Sequence, residues 1–539
     1  MEAQAIPRAS VDAKERRKIV EARLAAIGPV PAARRTPPPE GRMGADDDPM
    51  PRVCEALSDL GPVFASFGRY LSSRVDLVAR RDSRELSSIP DRGEPLAPAV
   101  VASTIALQLG APPERRFAGF TRDPHDVRLW TERHHAWIAS GVPVIVRLVR
   151  PDAASLIEND VPLLGLLRPW FEIAPLAFAA AVDDFAATLR RRLDQTHQVA
   201  AFDALAVDAG SSPRGFGAPV CHRDYCTPGL LTFARPSGVV LGDLMVDHRQ
   251  PATTPTADGE YAVRIASAWL HQALTGRVVP FDFGPRDIIV GEDRLVLVGG
   301  AFEPHTSTAR AQFISYLNAV AADDPDAASA WILDNAVADA PDGREETVRR
   351  RLRQAVPFRD GEWSGDDRLA EQILVQWRMA HQAEWPLALH HLHVFRGLYA
   401  TASLATQLAP QEDALAAALQ EERVQMGVAE ARRMGDPAML ASTVDRLLME
   451  MIHLPQRLDD VLTMASEGKL RVKLHVPNGD GSRQTRNRTV LLVALLMASI
   501  GVVSVARQLA PALGAGVERL GAIALLAVGG WLLVMSARL

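Results

Sequence analysis

Cysteine is scarce: the 539 residues hold three, Cys54, Cys221 and Cys226. Three thiols cannot form a disulfide framework, so a hydrophobic core must hold the fold, and a reducing compartment is the natural setting. An excess of basic charge is also missing. Lys and Arg total 59 against 65 Asp and Glu, for a net charge of −6, which argues against nucleic acid as a partner. The chain has no Gly-x-Ser-x-Gly, His-Glu-x-x-His or Walker A motif, so serine-hydrolase, zincin and P-loop chemistry lose their sequence basis. No apolar run follows the early positive charges Lys14, Arg16, Arg17 and Lys18, as a secretory signal would require. The mixed segment Ile19 to Ile27 suits an amphipathic helix, and Pro29 to Pro51, rich in Pro, Arg and Asp, reads as a disordered linker. Residues 1–52 are therefore set apart as an N-terminal extension.

Long hydrophobic runs are absent until the C-terminus, where two occur. Thr489 to Ala506 is apolar apart from Thr489, Ser499 and Ser504, and Leu520 to Ala537 is apolar but for Ser536. Each is about 18 residues long, near the lower limit for crossing a hydrocarbon layer roughly 30 Å thick. The intervening stretch carries Arg507, Pro511, Gly514, Gly516, Glu518 and Arg519, so 489–537 reads as a transmembrane helical hairpin. Lys469, Arg471, Lys473, Arg483, Arg486 and Arg488 precede it, and the positive-inside rule puts the large domain on the cytoplasmic side, with 471–488 as a basic linker. The abundance of Ala, Arg and Pro suggests a high-GC bacterial source, so the expected membrane is the bacterial inner membrane.

Within the large domain, helical spacing predicts helices over Cys54 to Ala79, Leu96 to Leu109, Phe178 to Ala206 and Tyr261 to Thr275. The β-branched segment Val142 to Leu148 predicts a strand, and Gly217 to Val240 two short strands around a Thr227-Pro-Gly229 turn. Two more strands, Ile288 to Val290 and Leu295 to Val298, flank Gly291-Glu-Asp293, and 308–466 is mainly helical.

Four stretches in this order resemble a known family. The first, Leu60-Gly-Pro-Val-Phe-Ala-Ser-Phe-Gly-Arg-Tyr-Leu-Ser-Ser-Arg-Val-Asp-Leu77, is similar to L-G-P-x-F-x-K-x-G-Q-x-L-S-x-R-x-D-L, with Ser66, Gly68 and Arg69 at the K-x-G-Q positions. The second, Val142 to Pro151, resembles V-A-V-K-V-x-R-P with Arg147 at the lysine; Trp130 to Ser140 stands where an alanine-rich loop is expected. The third, Val182 to Asp194, resembles the helix before E-x-x-N and puts Gln198 at the glutamate. The fourth, Gly276 to Ala301, resembles G-F-F-H-A-D-P-H-P-G-N-I-L-V followed by L-x-L-x-D-F-G. There Asp282 keeps the catalytic aspartate position, Asp287 replaces the metal-binding asparagine and Gly299 the metal-binding aspartate. Leu454-Pro-Gln-Arg-Leu and Gly468-Lys-Leu-Arg-Val before the hydrophobic hairpin agree with the same layout. The family is that of the UbiB/AarF atypical kinases.

The resemblance implies an α+β, bilobal protein-kinase-like fold, predominantly helical, over 53–470, with lobes at 95–245 and 246–470. It also implies an ATP–Mg²⁺ site and a role in ubiquinone or other prenyl-lipid metabolism. Phosphoryl transfer needs a lysine on the phosphates, a glutamate on the lysine and two metal-binding side chains. Arg147, Gln198 and Gly299 break three of these roles, while Asp282 and Asp287 still offer oxygens, with Asp287 the candidate metal ligand. The expected protein is a pseudokinase engaging membrane lipid, an isoprenoid or quinone lipid or a biosynthetic complex. An active atypical kinase or ATPase and a structural adaptor without ligand stay open, as does a homodimer.

Two tripeptides imitate ordinary kinase signatures, His222-Arg-Asp224 and Asp282-Phe-Gly284. The first has Gly229 where a catalytic loop carries its asparagine, and the second is followed three residues later by the apolar Ile288-Ile-Val290, a strand rather than an activation loop. Cys221-His222-x-Asp224-x-Cys226 has ligand-like spacing but no second cysteine pair, and His390-His391-x-His393 falls on an expected helix, where adjacent residues face apart.

Overall fold

The computed structural model describes residues 12–28, 49–171, 173–212, 214–247, 255–322, 324–337, 345–355, 369–383 and 385–423. All of these fall in the first of two units, Met1–Gly435 and Asp436–Leu539. The hydrophobic segments 489–506 and 520–537 and the basic stretch before them lie outside the described residues. Among the described residues no helix is long and apolar enough to cross a membrane.

A five-stranded antiparallel sheet carries the site. Its strands are β1 (Gly119–Phe120), β2 (Asp126–Val127), β3 (Thr131–Trp137), β4 (Pro143–Val149) and β5 (Leu230–Ala234). Both β1 and β2 pair with β3, so they form one interrupted strand that turns back at Arg128-Leu129-Trp130. Strand alternation sends Val144, Val146 and Leu148 to one face, where they pack with Val101 and Ile105 of the helix Pro98–Leu109. It sends Ile145 and Arg147 to the other. Arg133 lies directly across from Arg147 in the β3–β4 register and shares that face. The segment Trp130 to Ser140, expected to displace a loop, is thus the β3 strand itself, and the tight turn before it holds the loop position.

Two helices read from periodicity are each broken in two. Cys54 to Ala79 is Met50–Leu60 followed by Pro62–Ser72, split at Gly61, whose φ of 108° ends the first helix while Pro62 opens the second. Phe178 to Ala206 is Pro175–Leu193 followed by Gln195–Ser211. Asp194 stands between them in an extended conformation, and its carboxylate accepts the Thr196 N–H at 3.0 Å, an N-cap. The apolar spacing continues across both breaks, which is why periodicity alone joins them.

The first pair of helices, Ala153–Asp160 and Pro175–Leu193 form a second core. The amphipathic segment near the N-terminus is the helix Ala13–Ala25, which buries Val20 and Leu24 there. Its Arg16 reaches Asp160 at 2.7 Å in a buried pair.

The largest core lies around the helices Pro255–Thr275 and Leu389–Leu408. Strand β6 (Val239–Val240) pairs with β8 (Ile288–Val290), which forms a hairpin with β9 (Leu295–Leu297); β7 (Val278–Asp282) pairs with β10 (Ala301–Pro304). The Thr227-Pro-Gly-Leu230 turn closes with two hydrogen bonds as expected, but the strand before it is reduced to isolated bridges at Gly217 and Cys221. Helix Leu389–Leu408 meets β7 at Gly397, where a Cβ would fall 2.5 Å from the Pro280 carbonyl oxygen and 2.8 Å from Trp269 Nε1. Those two atoms already share a 2.9 Å hydrogen bond. Gly397→Ala is expected to push the helix off β7 and cost about 1–3 kcal/mol, read as a lower denaturant midpoint; an unchanged midpoint would show that the helix and strand yield freely.

The sequence decoys resolve as ordinary structure. Arg223–Tyr225 is a 3₁₀ turn whose Arg223 pairs with Asp203. On the helix Leu389–Leu408, His391 faces Asn335 and His393 faces Asp184 and Glu303. No group of three His, Cys, Asp or Glu among the described residues is placed to hold a metal ion.

Candidate active-site pocket

A cavity of about 340 Å³ opens between the sheet, the helix Pro62–Ser72, the end of β7 and the helix Leu389–Leu408. Arg147, Asp282, Asp287, Ser66 and Arg69 line it, so it collects most of the residues the resemblance singles out.

Arg147 is buried and bonded to neutral oxygens. Its Nε donates to Gln195 Oε1 at 2.8 Å, Nη1 to the Val298 carbonyl at 3.2 Å and Nη2 to Gln198 Oε1 at 3.3 Å. The partner expected 51 residues away is therefore present, as an amide rather than a carboxylate. Burial, with Arg133 nearby, pushes the Arg147 guanidinium down to about 9. Gln195 has no place in the motif comparison; it enters because the break at Asp194 starts a helix there.

Asp287 is 2% exposed, and both of its oxygens are engaged. Oδ1 accepts Arg128 Nη1 at 2.8 Å and Arg133 Nη2 at 3.4 Å, while Oδ2 accepts the Gly284 N–H at 3.1 Å. Burial opposes its ionisation, but Arg128, Arg192 and Arg133 prevail and hold the carboxyl well below the usual range. At Gly299 a Cβ would stand 2.3 Å from Asp287 Oδ1 and 3.2 Å from Arg133 Nη2. The second metal-binding side chain is not merely missing, because its space is filled by the Asp287–arginine cluster. Magnesium demands near-octahedral oxygen ligands at about 2.0–2.1 Å, and the residues at 287 and 299 do not fit it.

Asp282 ends β7 and is half-buried, with Arg192 Nη1 donating to its Oδ2 at 3.2 Å. Arg192 belongs to the last turn of the helix Pro175–Leu193. Arg128 sits on the β2–β3 turn, where a kinase's glycine-rich loop covers the phosphates. The next turn residues are fixed too: Trp130 Nε1 donates to Ser66 Oγ at 2.7 Å. Ser66 thus anchors the turn. Gly68 allows close packing, since a Cβ would meet Ile89 Cδ1 at 2.5 Å, and Arg69 Nη1 donates to the Ile89 carbonyl at 2.8 Å. Farther along the same motif, Arg74 grips Asp76 through two bonds of 2.8 and 2.9 Å.

Arg128, Arg133 and Arg192 escaped the sequence reading. Arg192 lies in the run Arg190-Arg191-Arg192, which looks like an exposed helix end, and nothing in the spacing of the other two points at residue 287.

Residues 88–330 match the ABC1 atypical kinase-like domain. A "Probable protein kinase UbiB" from Pseudomonas paraeruginosa is 32% identical over 198 residues, 36% of this chain and 37% of that one. A protein of the same description from Azotobacter vinelandii is 32% identical over the same shares. The matched part thus spans little more than a third of these relatives. The solved complex of Rv3197 with erythromycin from Mycobacterium tuberculosis covers 66% of this chain and 87% of that one at 14% identity, but its TM-score of 0.40 is too low to bear weight. With the ABC1 domain matched and the Arg147, Asp282 and Asp287 positions gathered at one pocket, the kinase-like domain at residues 88–330 belongs with those of the UbiB/AarF family.

Proposed function

We propose that this chain is a pseudokinase, held at the cytoplasmic face of a bacterial membrane, that supports ubiquinone or other prenyl-lipid metabolism by binding a lipid or a biosynthetic partner rather than by transferring phosphate. One observation carries the reading: the Asp287 carboxylate is taken up by Arg128 and Arg133, and Gly299 has no room for a second carboxylate. Without a metal between the phosphates the developing charge loses its main stabiliser; a single well-placed charge is worth roughly 10³-fold in rate. The neutral Gln195 and Gln198 on Arg147 act in the same direction, because an arginine fork does not substitute for a lysine ammonium at such a site. Membrane attachment rests on the hydrophobic segments at 489–537 and the basic residues before them.

The test has two parts. Purified full-length chain given ATP and Mg²⁺ is expected to release ADP at the background rate, unchanged in Asp282→Asn. In cells lacking the gene, prenyl-quinone content is expected to fall and to be restored equally by the parent and by Asp282→Asn. ADP release that Asp282→Asn abolishes would establish an active kinase or ATPase instead. A normal prenyl-lipid content without the gene would remove the metabolic role.

A further inference from the structure

The pocket holds two more arginines than carboxylates. Arg69, Arg128, Arg133, Arg147 and Arg192 line it, against Asp91, Asp282 and Asp287. The three acids are already committed: Asp287 to Arg128 and Arg133, Asp282 to Arg192, and Asp91 to Arg128 at 3.8 Å. Two buried guanidiniums are left poorly matched. Arg147 makes no ion pair among the described residues, its acceptors being two amides and a carbonyl. Arg133 is 5% exposed, its Nε has no hydrogen-bond partner among the described residues, and its two ion pairs are long, 3.4 Å to Asp287 and 3.5 Å to Asp126, with Asp126 shared by Arg128 at 3.0 Å and Arg286 at 3.2 Å. A buried cation without a full counter-charge is costly, and a bound anion removes that cost.

We propose that this pocket takes a phosphate-bearing anion without a divalent cation, with Arg133 and Arg192 supplying the positive charge that magnesium supplies in a working kinase. The inference rests on the pseudokinase reading and deepens it. Arginine suits the role, since its planar fork pairs with two phosphate oxygens at once. Arg192 is the accessible member: its side chain is 31% exposed, one nitrogen rests on Asp282 at 3.2 Å, and the rest of the fork makes no hydrogen bond among the described residues, so it can turn to a ligand. Burial lowers Arg133 to about 10 and Arg147 to about 9, the direction expected of a cluster short of negative charge.

The dependence on magnesium is then the reverse of a kinase's. Mg²⁺ neutralises a polyphosphate and adds a cation to a site already rich in them, so it should weaken binding. The experiment is titration calorimetry of the full-length chain with inorganic pyrophosphate and, separately, with ATP, in EDTA and in excess Mg²⁺. Both ligands are expected to bind in EDTA and to bind about tenfold or more weakly in Mg²⁺. Arg192→Gln is expected to weaken both by about tenfold, with Arg192→Lys intermediate. Arg133→Gln should do the same, and Arg192, being partly exposed, keeps the test valid if the buried variant fails to fold. Binding of ATP but not pyrophosphate, insensitive to Arg192→Gln, would assign affinity to the base and overturn the proposal. Binding that requires Mg²⁺ would overturn both this proposal and the pseudokinase reading. No binding in either buffer would overturn the proposal and leave the pseudokinase reading in place.

Discussion

Asp184→Ala is expected to destabilise the chain by about 3–5 kcal/mol, the usual cost of stripping one partner from a buried charge network. Asp184 lies on the helix Pro175–Leu193 with its side chain 5% exposed. It accepts Tyr70 Oη–H at 2.8 Å and meets His393 Nε2 at 3.0 Å, with Arg396 Nη1 at 3.8 Å and Arg74 Nη1 at 4.0 Å. Burial opposes its ionisation, but the His393 bond and Arg396 outweigh it, so the carboxyl stays well below its ordinary range. His393 holds Glu303 Oε2 at 2.7 Å on its other nitrogen and stacks on Phe281 with centroids 4.1 Å apart. Arg396 lies over both Tyr70 and Phe281. One carboxylate therefore joins the helix that carries Ser66, Gly68 and Arg69 to the helix Leu389–Leu408, along a wall of the pocket. Removing it leaves Arg396 and His393 buried with one anion fewer. Denaturant unfolding of Asp184→Ala beside Asp184→Asn, which keeps the shape and loses the charge, checks this. A loss under about 1 kcal/mol in both would mean that the network contributes no more than a surface pair does.

Gly299→Asp is expected to damage the site rather than repair it. The new Cβ would fall 2.3 Å from Asp287 Oδ1, and a second carboxylate would enter beside the first. Overpacking alone costs about 1–3 kcal/mol, and two buried like charges add to it. Pairing the change with Asp287→Ala opens the space and lets the new carboxylate meet Arg128 and Arg133. The double variant should recover most of the stability that the single one loses, a coupling visible in a double-mutant cycle. Thermal unfolding of the three variants reads this directly. A Gly299→Asp chain that melts like the parent and hydrolyses ATP with Mg²⁺ would show that the pocket rearranges easily and that only a side chain was missing.

Local chemistry in the sequence determined a good deal. The β-branched run became β4 with Arg147 on its inner face, because strand alternation is a nearest-neighbour property. The hairpin at 288–297 formed where Gly291-Glu-Asp293 calls for a turn. Motif order identified the family and paired Arg147 with Gln198 across 51 residues. The two helix breaks were written in the sequence as well, in Gly61-Pro62 and Asp194, but a continuing apolar period hid them.

Only the tertiary structure decided what the site became. The sequence shows that a carboxylate is lost at 299; it does not show that Arg128 from a turn and Arg133 from a strand converge on Asp287 and fill the space. Those residues are more than 150 positions away along the chain, and no local pattern encodes where a long, flexible arginine ends. Charge balance in a pocket depends on distance and burial rather than on composition. A chain with a net charge of −6 can therefore enclose a cavity in which arginine outnumbers aspartate.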